Sequence, residues 1–241
     1  MYFFAVAAML IAGDGGSTAG AAASPAPAAA SAPAGPLREI VYKISQTDTA
    51  SGTNTDYGGT GSGSNSGWDQ GTLTIDVLQV LAGDTLAVRA SEAWSDLGGK
   101  PYAATGYVGP DGTLTIVSGT YSAVMETLLP YVASGFIGSH EMSIGTSWDL
   151  TGDADKVHYE HHYAITKIDG TDVTISVNGK MTGAGLGMFP TTEQDTIVYR
   201  PARLVPISGD FNTKTRSSNG TEDATVTHNL HFQRLSDTKD P

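Results

Sequence analysis

From Arg38 to Gln233, apolar and polar residues alternate at period two in one short segment after another. That period puts successive side chains on opposite faces of an extended chain, so each such segment reads as a half-buried strand. Ile40, Tyr42 and Ile44 alternate with Val41, Lys43 and Ser45. Leu73, Ile75 and Val77 repeat the pattern, as do Leu86, Val88 and Ala90, with Ala82-Gly-Asp84 as the hairpin between them. Strands over 102–108 and 113–117 flank Gly109-Pro-Asp-Gly112, a strong turn signal. Further on, a strand over 157–166, a turn at Ile168-Asp-Gly-Thr-Asp172, and Val173, Ile175 and Val177 form another hairpin. Strands over 196–200 and 203–215 follow, and Asn219-Gly220 turns the chain into the alternating run 224–233. Two stretches read as loops from composition: 47–67, rich in Ser, Thr, Gly and Asn, and glycine-rich 181–190.

One segment breaks the period. In 120–133, Tyr121, Val124, Met125, Leu128 and Leu129 fall at the spacing of an amphipathic helix. Thr120 or Ser122 is placed to cap it, and Pro130 limits its length. Nine or ten antiparallel strands with one short helix predict a mainly β domain. The expected form is a strongly curved antiparallel sheet or half-barrel with the helix across it. A β-sandwich is the alternative.

Residues 1–37 contain no Lys, Arg or Cys. Tyr2 to Ala12 is an apolar run too short for a membrane span, which needs roughly 20 residues. Its length suits a signal-peptide core, with a cleavage triplet at Ala21-Ala22-Ala23. The usual basic opening of a signal is absent. The expected organisation is a signal peptide over 1–23, a Pro/Ala-rich linker over 24–36 and a single β-rich domain over 37–241. The predicted location is periplasmic or secreted, with no transmembrane segment in the mature protein. The chain has no cysteine, so neither a disulfide nor a lipid anchor on a Cys is available. Its net charge of −12 argues against nucleic acid as a partner, because phosphate recognition needs a basic footprint.

Candidate chemistry centres on histidine. His158, Glu160 and His162 share one strand face and are weak candidates for a metal. Same-face neighbours on a strand are roughly 6.5–7 Å apart, so three of them converge poorly on one ion. Tyr159, His161 and Tyr163 occupy the opposite, apolar face. His228 and Phe232 lie in the apolar register of their own strand. If the two strands are neighbours, His161 and His228 line one cavity. Tyr159, His161, Tyr163, His228 and Phe232 are therefore the candidate ligand-binding residues. No catalytic residue is assigned: there is no Gly-x-Ser-x-Gly elbow, and adjacency in Ser139-His140-Glu141 does not make a triad. Asp111, Asp153, Asp155, Asp169, Asp172, Asp195 and Asp210 read as turn residues, and 149–155 as an acidic surface turn. Residues 58–67 match no phosphate-loop pattern, so no cofactor is expected. Trp68, Trp94 and Trp148 sit near strand ends, either as rim anchors or as exposed platforms.

Leu129-Pro130, Ile144-Gly-Thr-Ser-Trp148, Tyr163-Ala-Ile-Thr-Lys-Ile-Asp-Gly170, Val173-Thr-Ile-Ser-Val177 and Gly179 occur in that order. The run resembles uncharacterised exported bacterial proteins whose architecture is similar to the lipoprotein carriers of the Gram-negative periplasm. That resemblance implies a curved half-barrel closed by helix. It covers 120–235, and the chain departs from it in lacking a lipidated Cys and in having less helix. The leading expectation is a non-enzymatic binding or carrier-like module for an apolar small molecule, a lipid or a hydrophobic segment. A structural subunit of an envelope or extracellular assembly, and a metal-assisted enzyme, are the alternatives.

Overall fold

The computed structural model describes residues 35–54, 61–95, 102–154, 157–183, 190–218 and 222–239. The expected leader, the Asn219-Gly220 turn, Asp155 and the middle of the 181–190 loop lie outside them. The described residues form eleven strands: β1 Arg38–Asn54, β2 Gly61–Val80, β3 Leu86–Trp94, β4 Ala103–Val108, β5 Leu114–Thr120 and β6 Ser147–Ala154, then β7 Val157–Asp169, β8 Asp172–Gly183, β9 Thr191–Arg200, β10 Val205–Ser218 and β11 Glu222–Asp237. Among the described residues the one α-helix, α1, spans Ala123–Leu128.

All the strands belong to one antiparallel sheet in the order β5-β4-β3-β2-β1-β11-β10-β9-β8-β7-β6. The first and last strands therefore pair in the middle, with Ile44 opposite Phe232, and two meanders run outward from them. The sheet is curved and not closed: β5 and β6 are its edges, and the segment carrying α1 connects them. A two-sheet sandwich is excluded among the described strands. Register shifts at Val41/Tyr42, Val77/Gln79, Thr105/Gly106, Ile165/Lys167 and Pro206/Ser208 mark bulges. Each adds local twist and bends its strand, which curls a sheet this wide.

Period-two alternation sends one face of nearly every strand inward. Ile40, Tyr42, Ile44, Leu73, Ile75, Val88, Ile165, Ile175, Ile197 and Phe232 are all buried there. The helical segment covers them. Ser122 caps α1, its Oγ accepting from Met125 N at 3.1 Å. Pro130 offers no N–H for a further α turn, and the chain continues as a 3-10 turn, Leu129–Val132. A helix of six residues is far too short to persist by itself. Tertiary burial holds it: Val124, Met125, Leu128, Leu129 and Val132 all pack into the core. Buried Glu92 on β3 pins its start, accepting from Ser122 Oγ and from Trp94 Nε1 at 2.7 Å.

Three expectations are corrected. Residues 47–54 and 61–67 are not loop: β1 and β2 stay paired to Asn54↔Gly61. Ladder hydrogen bonds come from the backbone, so Ser, Thr and Gly extend a strand once pairing is under way. The acidic tract at 149–154 is not a turn; it forms most of edge strand β6. Asp153, Asp195 and Asp210 likewise sit within strands. The Gly109–Gly112 turn is present, with Gly112 N donating to Gly109 O at 3.0 Å and Gly112 at φ 87°, a conformation glycine adopts freely.

Candidate functional site

Antiparallel register places β7, β8 and β9 side by side, so their inner faces form rows. One row runs Leu150, His161, Gly179, Glu193; the next runs Trp148, Tyr163, Val177, Asp195. Gly179 decides the geometry of the first. A Cβ built there would collide with the His161 ring and reach Glu193 Oε2 at 3.0 Å. Without it, His161 and Glu193 meet over β8, Nε2 to Oε2, at 3.0 Å. They are close but misaligned, so His161 Nε2 makes no hydrogen bond. Their side chains are 18% and 21% exposed, so solvent reaches part of the pair, while the His161 Nε2 atom itself is buried.

Asp195 lies one step deeper and is 7% exposed. The β9–β10 ladder breaks beside it. Pairing holds at Thr196↔Asp210 and resumes at Glu193↔Thr213. In the gap, Asn212 N donates to Asp195 Oδ1 at 3.0 Å. Burial, with the neighbouring Glu193 carboxylate adding to it, pushes the Asp195 carboxyl up to about 7. Below it, the hydroxyls of Tyr131, from the helical segment, and Tyr163 hydrogen-bond to each other, and burial pushes both phenols up. Phe136 closes on both rings edge-on, at 5.1 and 6.0 Å. The result is a protonatable carboxyl on an aromatic floor, beside an imidazole and a second carboxylate. Such a group can hold or release a proton near neutral pH.

The five candidate residues separate. Tyr159 and His161 stack at 5.7 Å on the accessible rim, with the Tyr159 ring laid over Gly152. Tyr163 and Phe232 are core residues; the Phe232 ring fills the space above Gly209, between Tyr42 and Phe211. His228 faces inward too, but β8, β9 and β10 stand between its strand and that of His161. It pairs with Asp48 at 2.5 Å instead, and the imidazole holds the Asp48 carboxyl below the usual range.

On the outer face of β7, His158 and Glu160 meet at 3.4 Å, but the two histidines turn to different aspartates. His158 Nδ1 lies 2.9 Å from Asp153 and His162 Nδ1 lies 2.6 Å from Asp149, both on β6. Among the described residues, no group of three or more His, Asp or Glu is disposed to hold a metal. Among the same residues, no helix is long and apolar enough to cross a membrane.

Glu193, Asp195, Gly179 and Tyr131 were not expected at a site. One signal for Asp195 was available: it shares the apolar register of Ile197 and Tyr199. Tyr131 carries no such signal, because only the path of the helical segment brings it there.

No family model matches the chain. No curated protein matches it either. Among solved structures it is similar to Rv2717c from M. tuberculosis, at 11% identity and a TM-score of 0.29, over 78% of this chain and 91% of that one. A likeness that slight says nothing of fold or function.

Proposed function

We propose that the protein is a non-enzymatic binding module, working after export, for a small molecule with an apolar body and a cationic or hydrogen-bond-donating head. The observation that carries this reading is the rim cluster of His161, Glu193 and Asp195 on the inner face. Two carboxyl groups against one imidazole favour a donor or cation over an anion. Leu150, Tyr159 and Met181 lie in the same or the adjacent inner row and are only partly covered, which gives an apolar body a surface to rest on. The deeper concavity is filled by the chain's own helical segment, so the ligand sits at the rim and not among Tyr42, Phe232 and Met125. The apolar run at Tyr2–Ala12 supports export.

Assembly through strand edges has less support. Edge β6 carries Asp149 and Asp153. On edge β5, Val117 is bulged out and Gly119 sits at φ 92°. Charge and bulges are devices that discourage edge pairing.

Calorimetric titration at neutral pH with dodecylamine and with dodecanoate, each below its micelle concentration, tests the reading. The amine is expected to bind and the carboxylate not to, and Glu193→Gln is expected to remove the difference. Equal binding of the two probes, or no binding of either, overturns it.

A further inference from the structure

The outer face of the central strands holds a second group of side chains that the rim site does not use. Antiparallel register across β2, β1, β11 and β10 builds one row of Trp68, Thr47, Asn229 and Asn212. The neighbouring row is Gln70, Ser45, His231 and Asp210. Three steps between adjacent strands make each row about 14 Å long. Trp68 is 58% exposed, although indole is among the costliest side chains to leave in water. Beside it, a depression of about 270 Å³ is lined by Ser45, Thr47, Asp210, Asn212, Asn229 and His231, with Phe211 and Leu230 beneath.

The polar groups around the depression are oriented but not exhausted. Asn212 Nδ2 donates to Asn229 Oδ1, which fixes both amides and leaves the Asn229 amide N–H and the Asn212 carbonyl facing out. His231 Nδ1 meets Asp210 Oδ1 at 2.8 Å, which orients the imidazole and leaves its Nε2 and the second Asp210 oxygen. Ser45 and Thr47 add hydroxyls. Donors and acceptors therefore alternate across the floor, and no Lys or Arg lines it. The rows beyond carry Thr49, Ser51, Thr225 and Thr227 on β1 and β11, with Lys214 and Arg216 at their β10 end. Within the depression itself the charged groups are confined to the hydrogen-bonded pair Asp210 and His231, a setting that suits a partner without charge.

We propose that this face is a binding site for a neutral oligosaccharide. A sugar ring stacks its C–H face on the exposed Trp68 indole. The hydroxyls of the following rings exchange hydrogen bonds with Asn229, Asn212, Asp210 and His231. A neutral sugar chain offers apolar C–H faces for the indole and hydroxyls that both donate and accept, and rows of about 14 Å have room for several rings.

The test is affinity electrophoresis of the full chain in gels containing soluble neutral polysaccharides, with dextran, xyloglucan, galactomannan and soluble starch as the panel. Retardation is expected in at least one, lost in Trp68→Ala and weakened roughly tenfold in Asn229→Ala, about the effect of losing one contact. Trp68 is exposed and Asn229 is not part of the core, so circular dichroism should show both variants folded. Glu193→Gln, on the opposite face, should leave retardation unchanged. No retardation in any gel, or the same retardation in Trp68→Ala, overturns the proposal. So does retardation confined to an acidic polysaccharide such as alginate, or a Trp68-dependent interaction with protein alone.

Discussion

Two aspartates on the inner face are buried to the same depth and are held in opposite ways. Asp237, at the end of β11, is 5% exposed, and Asp195, on β9, is 7% exposed. Burial by itself would raise both. At Asp237 it is outweighed: Arg38 donates to it at 2.9 and 2.6 Å, Arg234 approaches to 3.3 Å, and Lys239 N donates at 3.1 Å. The net result is a carboxyl held below its ordinary value. Asp195 has one backbone N–H and a neighbouring carboxylate, and it is pushed up to about 7. Depth of burial does not decide the charge of a buried acid; its partners do. The Arg38–Asp237 end ties the first strand to the last, which makes it a structural clasp. The rim carboxyl keeps a proton it can exchange near neutral pH.

The same substitution at the two sites should break the comparison open. Asp237→Asn leaves two guanidinium groups facing an amide in a closed pocket. Removing one member of a buried ion pair costs about 3–5 kcal/mol. Asp195→Asn keeps an oxygen for Asn212 N and removes a carboxyl that burial disfavours when ionised. Urea unfolding at neutral pH is expected to show a large loss for the first variant and a neutral or positive change for the second. Equal losses would mean that Asp195 is a clasp as well.

The two sites also divide the pH scale. Asp195 is raised in the folded state, to about 7 from an ordinary 3.8. Its folded form binds the proton more tightly, so its contribution is fully present below 3.8 and is lost as pH rises to about 7. The slope is at most about 1.4 kcal/mol per pH unit. Asp237 is lowered, so its contribution is present above 3.8 and is lost as pH falls through its folded value. Urea midpoints measured from pH 3 to 8 are expected to fall on both sides. Asp195→Asn should flatten only the limb above pH 4. A limb that survives this substitution would assign that titration to another group, with Glu92, also raised by burial, the first to examine.

How far the sequence discloses these regions depends on which forces built them. Alternation made the inner face legible, because Ile40, Tyr42, Ile44 and the rest are local pattern. The helix was legible from its spacing and its Ser122 cap. Pairing of Ile44 with Phe232 was not, since that contact joins the two ends of the chain. Composition concealed the strands at 47–54 and 61–67, where backbone pairing overrides side-chain preference. At the rim, His161 and Tyr159 follow from the apolar register of β7. Asp195 followed from the same rule on β9, but aspartate's preference for turns masked it. Gly179 reads as an ordinary glycine in sequence; its role exists only because His161 and Glu193 lean over it from both sides.

The smallest expected effect lies on the outer face of β7, where water shares the work. His158 is exposed, and its hydrogen bond to Asp153 raises its pKa, with Glu160 adding a second, weaker pull. The imidazolium and the carboxylate attract across one strand pair, but solvent screens them and the side chains lose freedom in meeting. Asp153→Asn should therefore leave the urea midpoint where it is. It should nonetheless move the His158 titration, followed by its ring-proton NMR shift, back towards the ordinary value of 6.5. A fall in stability with no change in that titration would mean that Asp153 acts through the β6–β7 backbone pairing and not through the imidazole. The contrast with Asp237 would then be one of strand pairing, not of exposure.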